Sequence, residues 1–408
     1  MLTVAEALSA VREHARALPP VDLPLADALD CVIAEDVVAD LDSPPFDKAL
    51  VDGYAVRASE LQGPDRWLSL GETVLAGQTP SRSLGRREAA TITTGAPIPP
   101  GSDAVVMHER TEPRDGGILV LEPEVKSGQN LLPRGREMRA GDIVVTQGSI
   151  LRPARIGVLA AVGRPQVQVV PHPTISIVPT GDELVEPSQV PGPGQIRNSN
   201  AALLYALAVE AGARASVLPI APDLPGPLGT ILERGLESDI LIVTGGVSAG
   251  QRDLVPAVLE SLGVRCIFHK VRLKPGKPLW FGVGPSRDDR PATLVFGLPG
   301  NPVSGLVGFL LFVKPTVAVL AGKRAKSADW LRARLTHRFC HRGDRMTCFP
   351  SRIVETGDDL AESRWIEPLR WQGSADLRAT ADADGFAIFA AGDREYAPGE
   401  IVDFLPLS

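Results

Sequence analysis

Lys270, Arg272, Lys274 and Lys277 bring four positive charges within eight residues of a chain whose formal net charge is -7. Two of them sit in KPGKP, Lys274 to Pro278, a sequence that bends the chain between the two lysines and restricts both. The plainer interpretation is one solvated strand face, since alternate residues 270, 272 and 274 share a side. The alternative is a small fixed anion site, because lysine serves a compact oxyanion as a point charge. Two glycine-rich loops flank this one in the sequence. TGGVSAGQRD, Thr244 to Asp253, follows the apolar run DILIV, and GLPGNP, Gly297 to Pro302, precedes a long apolar helix pattern. Glycines at a strand-to-helix turn let backbone N–H groups approach a phosphate closely. Taken singly, each loop is equally well a tight turn or a helix cap; three in one sheet point to a phosphorylated ligand. Neither a Walker A nor a G-x-G-x-x-G sequence is present, so those two routes to nucleotide binding are unsupported.

Carboxylates surround these loops. Asp253 starts a helix pattern, where it acts as an ordinary N-terminal cap; beside a bound phosphate it requires a bridging cation, which suggests Mg²⁺ or acid–base work on a phosphoanhydride. Asp182 and Glu183 of TGDEL, and Asp223, fall near the same predicted sheet edge. The six histidines make no metal cluster: His337, Cys340, His341 and Cys348 come closest, and their spacing fits strand alternation better than zinc. No G-x-S-x-G elbow and no Cys–His pairing supports covalent catalysis.

The elements that must position these loops follow from periodicity. With 408 residues the chain exceeds the size of one growing core, so two to four domains are expected. Thr3 to Ala17 reads as a helix with a Thr3/Glu6 capping box. Strand signals lie near 29–34, 36–38 and 54–56, and 67–125 is β-rich, with short apolar runs cut by turns. A helix with Pro153 in its first turn is expected over 151–162. From about residue 167 strands (167–170, 175–178, 216–220, 239–243, 293–296) alternate with helices (200–211, 224–237, 253–262, 302–320), the mark of βαβ units and a mostly parallel sheet. Asn301 is the expected N-cap of the last helix, and Pro315 its expected kink. Beyond Gly322 strand alternation resumes, as a small β-barrel or sandwich.

Bulk composition sets the class. Apolar residues make up 44%, charged residues 22% and aromatics 5%, an ordinary globular balance. The acidic net charge argues against binding nucleic acid by blanket phosphate neutralisation. Four cysteines without a C-x-x-C pair fit a reducing compartment, and neither a signal sequence nor an uninterrupted membrane-length apolar run is apparent; the expectation is a cytoplasmic protein with no membrane partner.

FDKALVDGYAVR, ITTGAPIPPGSDAVVMHE, TGDEL, GQIRNSN, TGGVSAGQRD, KPGKP and GLPGNPVS occur in the order and spacing of one family. Over practically its whole length the chain resembles the MoeA-type molybdopterin molybdenumtransferases, the group that includes the gephyrin E domain. The resemblance implies an elongated first domain in two segments (1–45 and 140–170), a β-rich inserted domain (46–139), an α/β domain similar to the molybdopterin adenylyltransferases (171–325) and a C-terminal β-barrel (326–408). It implies a homodimer with a shared active site, and insertion of molybdate into adenylylated molybdopterin with Mg²⁺-dependent release of AMP. It further implies contact with an adenylyltransferase and with apo-molybdoenzymes.

Carried over motif by motif, Asp253 would promote pyrophosphate cleavage and hold Mg²⁺. Gly245, Gly246 and Ser248 would form the phosphate loop, and Lys270 with Gly297, Pro299, Gly300, Asn301 and Pro302 would line the substrate site. Lys274, Lys277 and Pro278 would take molybdate, with Ser374 and Arg352 of the barrel. Glu183 and Asp223 would support the pocket, while Asp52, Thr94 and Glu137 would enter from the partner subunit. The chain departs from the family at Lys48 to Val51, ahead of Asp52, and at Arg136-Glu137. Competing readings are an adenylyltransferase, which would lack everything before residue 170, tungsten insertion, since the two oxyanions are alike in shape and charge, and a non-catalytic scaffold of the gephyrin E type.

Overall fold

The computed structural model describes residues 1–247, 254–286, 290–323, 330–354 and 364–407. Ser248 and Asp253 lie outside the described residues. The chain divides into two compact units, Met1–Leu23 with Asp30–Ala34 and Gln168–Ser408, and Pro24–Leu29 with Glu35–Val167.

The larger unit begins with the helix Val4–His14, whose N-cap Thr3 forms the expected capping box with Glu6. Its centre is a six-stranded sheet in which Arg214–Val217, Thr174–Pro179, Ile240–Thr244 and Leu294–Leu298 run parallel, followed by antiparallel Trp280–Val283 and Arg265–His269. The middle strands carry continuous apolar sequence because both faces are covered: every residue of Ile240–Thr244 and Leu294–Leu298 is buried. The helices Pro225–Gly235 and Leu254–Ser261 cover one face, through a cluster that includes Leu228, Leu232, Val255, Leu259, Leu241 and Val243. At about 25 cal/mol per Å² of apolar area, such a layer contributes far more than any single polar contact at the rim.

Two expectations are corrected here. Residues 270–274 do not form one alternating strand: Lys270 has φ +76°, and only Leu273–Lys274 is strand, pairing in parallel with Met346–Thr347. The left-handed residue breaks the period-2 register, so a single solvated face is not what holds these cations. Pro315 produces no simple kink either. The apolar segment runs as α-helix Pro302–Gly308, π-helical Phe309–Val313 and α-helix Lys314–Leu320. Without an N–H, Pro315 cannot close an ordinary i→i−4 bond, and a wide turn just before it absorbs the mismatch. Pro302–Leu320 is also, among the described residues, the one helix long and apolar enough to cross a membrane, and 78% of its most apolar window is buried inside the protein.

The C-terminal part of this unit settles the barrel-or-sandwich alternative. Strands Met346–Val354, Arg364–Pro368, Leu331–Leu335, Ile401–Pro406 and Gly385–Phe389 pair in sequence, and the last pairs back to the first, closing a five-stranded barrel. Closure removes the exposed edges an open sheet would present. Phe389, Phe404, Ile366 and Leu335 fill the interior, and Phe339 stacks on Phe389 at 4.1 Å between ring centroids.

The smaller unit holds a six-stranded sheet ordered Ala104–Met107, Gly53–Val56, Glu88–Ile92, Trp67–Val74, Gly117–Val120, Thr111–Arg114. Its two faces bury separate apolar clusters, one around Leu68, Val106 and Ile118 and one around Ile92, Val105 and Ala55. The helix Pro153–Ala161 places Pro153 at its start, as expected.

Candidate active site

Two adjoining pockets in the larger unit gather most of the residues singled out above. The first, about 700 Å³, is walled on one side by Lys274 to Pro278, Pro299, Asn301 and Ser304. Its other wall comes from the barrel: Phe339 to Arg342, Arg345, Thr347, Phe349 and the segment Trp371 to Ser374. Among the described residues, four cations, Lys274, Lys277, Arg342 and Arg345, line it, and no carboxylate does. Lys274 and Lys277 are both exposed, so neither side chain is spent on core packing. Arg345 donates from Nη1 to the carbonyl of Leu273 at 3.3 Å, tying the barrel turn to the base of the lysine loop. An interior lined this way favours a compact anion.

The second pocket, about 410 Å³, sits at the C-terminal ends of the parallel strands. It is lined by Thr180, Glu183, Arg197 to Asn200, Thr244 to Val247 and Pro299 to Pro302, and shares Pro278, Pro299 and Asn301 with the first. Gly245 and Gly246 have φ +87° and +60°, and a Cβ on Gly245 would lie 2.6 Å from the carbonyl oxygen of Thr180. Only glycine fits this turn, which brings its backbone close to the strand end. The turn is held from both sides: Gly245 N–H donates to the Leu298 carbonyl at 3.2 Å, and His269 Nε2 lies 2.8 Å from the Val247 carbonyl. Strand-end crevices of this kind are where open α/β sheets bind ligands.

The shared wall depends on Asn301. It occupies the N-cap position of Pro302–Gly308, but its side chain makes no cap hydrogen bond there. Instead Nδ2 donates to Ser374 Oγ at 2.9 Å, and Val303 N–H donates to the Ser374 carbonyl at 3.1 Å. The expected side-chain cap is thus replaced by a link to the barrel, which leaves the Ser374 hydroxyl hydrogen free to turn toward a ligand. On the far side, Asn200 Nδ2 donates to the Gly300 carbonyl at 2.7 Å, while Asn200 Oδ1 is buried without a partner.

Other residues fall elsewhere. Lys270 lines neither pocket, and its N–H donates to the Leu279 carbonyl. Gly297 lies inside a buried strand. Asp223 N–H donates to Asp182 Oδ1 at 3.1 Å, outside both linings. Arg352 is also absent from the pockets; its Nη2 meets Glu367 Oε2 at 2.6 Å, across paired strands. The barrel arginines that reach the first pocket are Arg342 and Arg345. The crowding of three charged residues into the turn HRGDRM was the sequence signal for them. Among the described residues, no group of three His, Cys, Asp or Glu side chains could hold a metal ion.

In the smaller unit, Asp52 Oδ1 accepts from Thr94 N–H at 2.7 Å and from the Thr94 hydroxyl at 2.9 Å. These two bonds, the backbone one first, hold the Asp52 carboxyl below the usual carboxylate range. Glu137 accepts from the Ser43 hydroxyl at 2.8 Å and faces Lys48 Nζ at 3.8 Å. Asp42 is likewise held low, by the Ala140 N–H and then by Arg134.

Comparison with known proteins extends over the whole chain. Residues 2–163 match the MoeA N-terminal region (domain I and II), 176–319 a probable molybdopterin binding domain, and 332–407 the MoeA C-terminal region (domain IV). The chain is 35% identical over 395 residues to the molybdopterin molybdenumtransferase of Bacillus subtilis, spanning 93% of this chain and 88% of that one. The chain belongs to the MoeA family of molybdopterin molybdenumtransferases. Its similarity to the enzyme of that name from Staphylococcus aureus is 30% over 409 residues, covering 99% and 95% of the two chains. The crystal structure of the molybdopterin biosynthesis MoeA protein from Pyrococcus horikosii superposes with a TM-score of 0.79 at 30% identity, covering 100% of this chain and 99% of that one. The matches to the probable molybdopterin binding domain and to the MoeA C-terminal region of this molybdenumtransferase family together span the glycine turn, the lysine loop and the barrel turn that build the two pockets.

Proposed function

We propose that the protein inserts molybdenum into molybdopterin in molybdenum cofactor biosynthesis, taking molybdate and an adenylylated molybdopterin and releasing AMP. The observation that carries this reading is the adjacency of a pocket lined, among the described residues, by four cations and no carboxylate to a glycine-turn pocket, with Pro278, Pro299 and Asn301 common to both. Lys274, Lys277 and Ser374, with Arg342 and Arg345, would hold the tetrahedral dianion. Gly245 would set the turn, its own N–H held by the Leu298 carbonyl, and Gly246 would present its backbone N–H to the pyrophosphate, with Ser248 of the same loop. Asp253 would promote cleavage of the phosphoanhydride. Pro299 to Pro302 keep the reacting groups of the two ligands within one wall's reach, which is the positioning part of catalysis.

Glu183 of the second pocket and Asp253 supply carboxylates of the kind that hold Mg²⁺ through one or two protein ligands plus substrate phosphates and water. Bound there, Mg²⁺ would offset the pyrophosphate charge. In this proposal the protein is a cytoplasmic homodimer, and Asp52, Thr94 and Glu137 of one subunit complete the site of the other. The Thr94 hydrogen bonds preform the Asp52 carboxylate and keep it ionised to lower pH than an ordinary aspartate. Domain limits near residues 45, 140, 170 and 325 belong to the same proposal.

The test supplies adenylylated molybdopterin, molybdate and Mg²⁺ without oxygen and measures AMP release together with reconstitution of an apo-molybdoenzyme. Release of AMP that depends on the chain and on molybdate is expected, with a fall of several orders of magnitude for Asp253→Ala. An inactive wild-type chain, or an Asp253→Ala variant with full activity, refutes the reading.

A further inference from the structure

Among the described residues, Arg197 is the one cation lining the glycine-turn pocket, as Glu183 is its one carboxylate. The arginine belongs to GQIRNSN, Gly194 to Asn200, and its backbone is pinned on both sides. Ile196–Arg197 pairs in parallel with Leu184–Val185; Ile196 N–H donates to the Glu183 carbonyl at 2.8 Å and Asn198 N–H to the Val185 carbonyl at 2.9 Å. Asn198, 4% exposed, then caps the helix Ser199–Glu210 by accepting from the Ala201 N–H at 3.2 Å. Asn200 ties the same segment to the Gly300 carbonyl in the wall shared with the cationic pocket.

The side chain is anchored as well. Arg197 Nε donates to the Gln189 carbonyl at 3.0 Å, which fixes one corner of the guanidinium plane. Its two terminal nitrogens have no partner among the described residues. Glu183 forms no ion pair with them; its carboxylate lies over Gly181, where a Cβ would meet Oε2 at 2.4 Å. A fork held in this way is preorganised, because the rotamer freedom that binding would remove is already lost in folding. It suits an oxyanion with two free oxygens on one centre, taken by two parallel N–H···O bonds, and each phosphate of a pyrophosphate has that shape. The pocket also lacks any other full positive charge among the described residues. Its glycine turn supplies backbone dipoles, and Glu183 repels a phosphate, so the arginine is the side chain that can offset both the ligand's charge and its own neighbour's.

We propose that Arg197 is a specificity-determining residue of the glycine-turn pocket: its anchored guanidinium grips a phosphate of the nucleotide-bearing ligand through two parallel hydrogen bonds. The inference rests on the reading of this pocket as the pyrophosphate site. It is tested by calorimetric titration of the full chain with AMP and with adenosine, Mg²⁺ present, in wild type, Arg197→Ala and Arg197→Lys. Arg197 is exposed, so melting temperatures should hold and confirm that each variant is folded. Arg197→Ala should weaken AMP about 10- to 100-fold, the loss of a charge-assisted contact. Adenosine, which lacks the phosphate, should bind both chains alike or neither, and molybdate affinity should stay unchanged. Arg197→Lys keeps the charge without the fork and should recover only part of the AMP affinity. Unchanged AMP affinity in Arg197→Ala, a loss that adenosine shares equally, or full affinity in Arg197→Lys overturns this inference alone. A wild-type chain that binds no AMP overturns the pyrophosphate reading of the pocket and the inference with it.

Discussion

The two pockets share a wall and differ in almost everything else. The cationic pocket is made by side chains: two lysines on a short loop, two arginines on a barrel turn and, among the described residues, no carboxylate. The glycine pocket is made by backbone: a turn at +87° and +60°, the ends of buried strands and, among the described residues, one carboxylate, Glu183. A compact dianion is satisfied by point charges at several positions, whereas an extended phosphate ester needs a fixed row of N–H groups and space for a cation. In the proposed division of labour the first task falls to residues that can be exchanged with modest harm to folding, and the second to a turn the fold itself requires.

Substitutions can separate the two tasks. The largest effect is expected from removing both pocket lysines. Lys274→Ala/Lys277→Ala should raise the dissociation constant for molybdate by at least about 100-fold, since charge-assisted contacts are worth about 1.5–3 kcal/mol each. Both side chains are exposed, so the melting temperature should hold, and AMP should bind as before; calorimetry with each ligand reads this directly. Gly245→Ala is the converse. Its Cβ would meet the Thr180 carbonyl at 2.6 Å at a positive φ, so stability should fall by about 1–3 kcal/mol. AMP affinity should drop while molybdate affinity changes little.

Asn301→Ala probes the shared wall. Loss of the 2.9 Å bond to Ser374 should cost about 1 kcal/mol and weaken both ligands by comparable small factors. If only one ligand responds, the wall is not shared in the functional sense.

The smallest effect lies far from either pocket. Glu88, whose carboxyl the Arg82 guanidinium draws down to about 2 from 4.5, contributes stability that is complete above pH 4.5 and is lost as pH falls through about 2. Arg82 is half exposed, so the contribution stays below about 1 kcal/mol. Glu88→Gln should flatten denaturation midpoints between pH 5 and pH 2.5 without altering either ligand's affinity at pH 7.

What could be read from sequence divides along the same line. Local rules placed the Thr3–Glu6 cap, the Pro153 helix start and the βαβ alternation correctly, because capping and period are short-range properties. The glycine pair was legible because positive φ restricts residue type. The barrel contribution was not legible. Arg352 and Arg345 are equally plausible in sequence, and only strand register turns Arg352 toward Glu367 while the preceding turn delivers Arg342 and Arg345 to the lysine loop. Lys270 shows the same limit: alternation put it beside Lys274, but its left-handed backbone removes it from the pocket. Asn301 illustrates tertiary override, since a good cap residue gives its side chain to Ser374 instead.

The division of labour between the pockets is tested most directly by an anomalous difference map from crystals soaked with tungstate and AMP together. The account predicts a tungsten peak within hydrogen-bond reach of Lys274 and Lys277 and facing Ser374, with the AMP phosphate against Gly245 and Gly246. A tungsten peak at the glycine turn, or AMP phosphate bound between the two lysines, would contradict it.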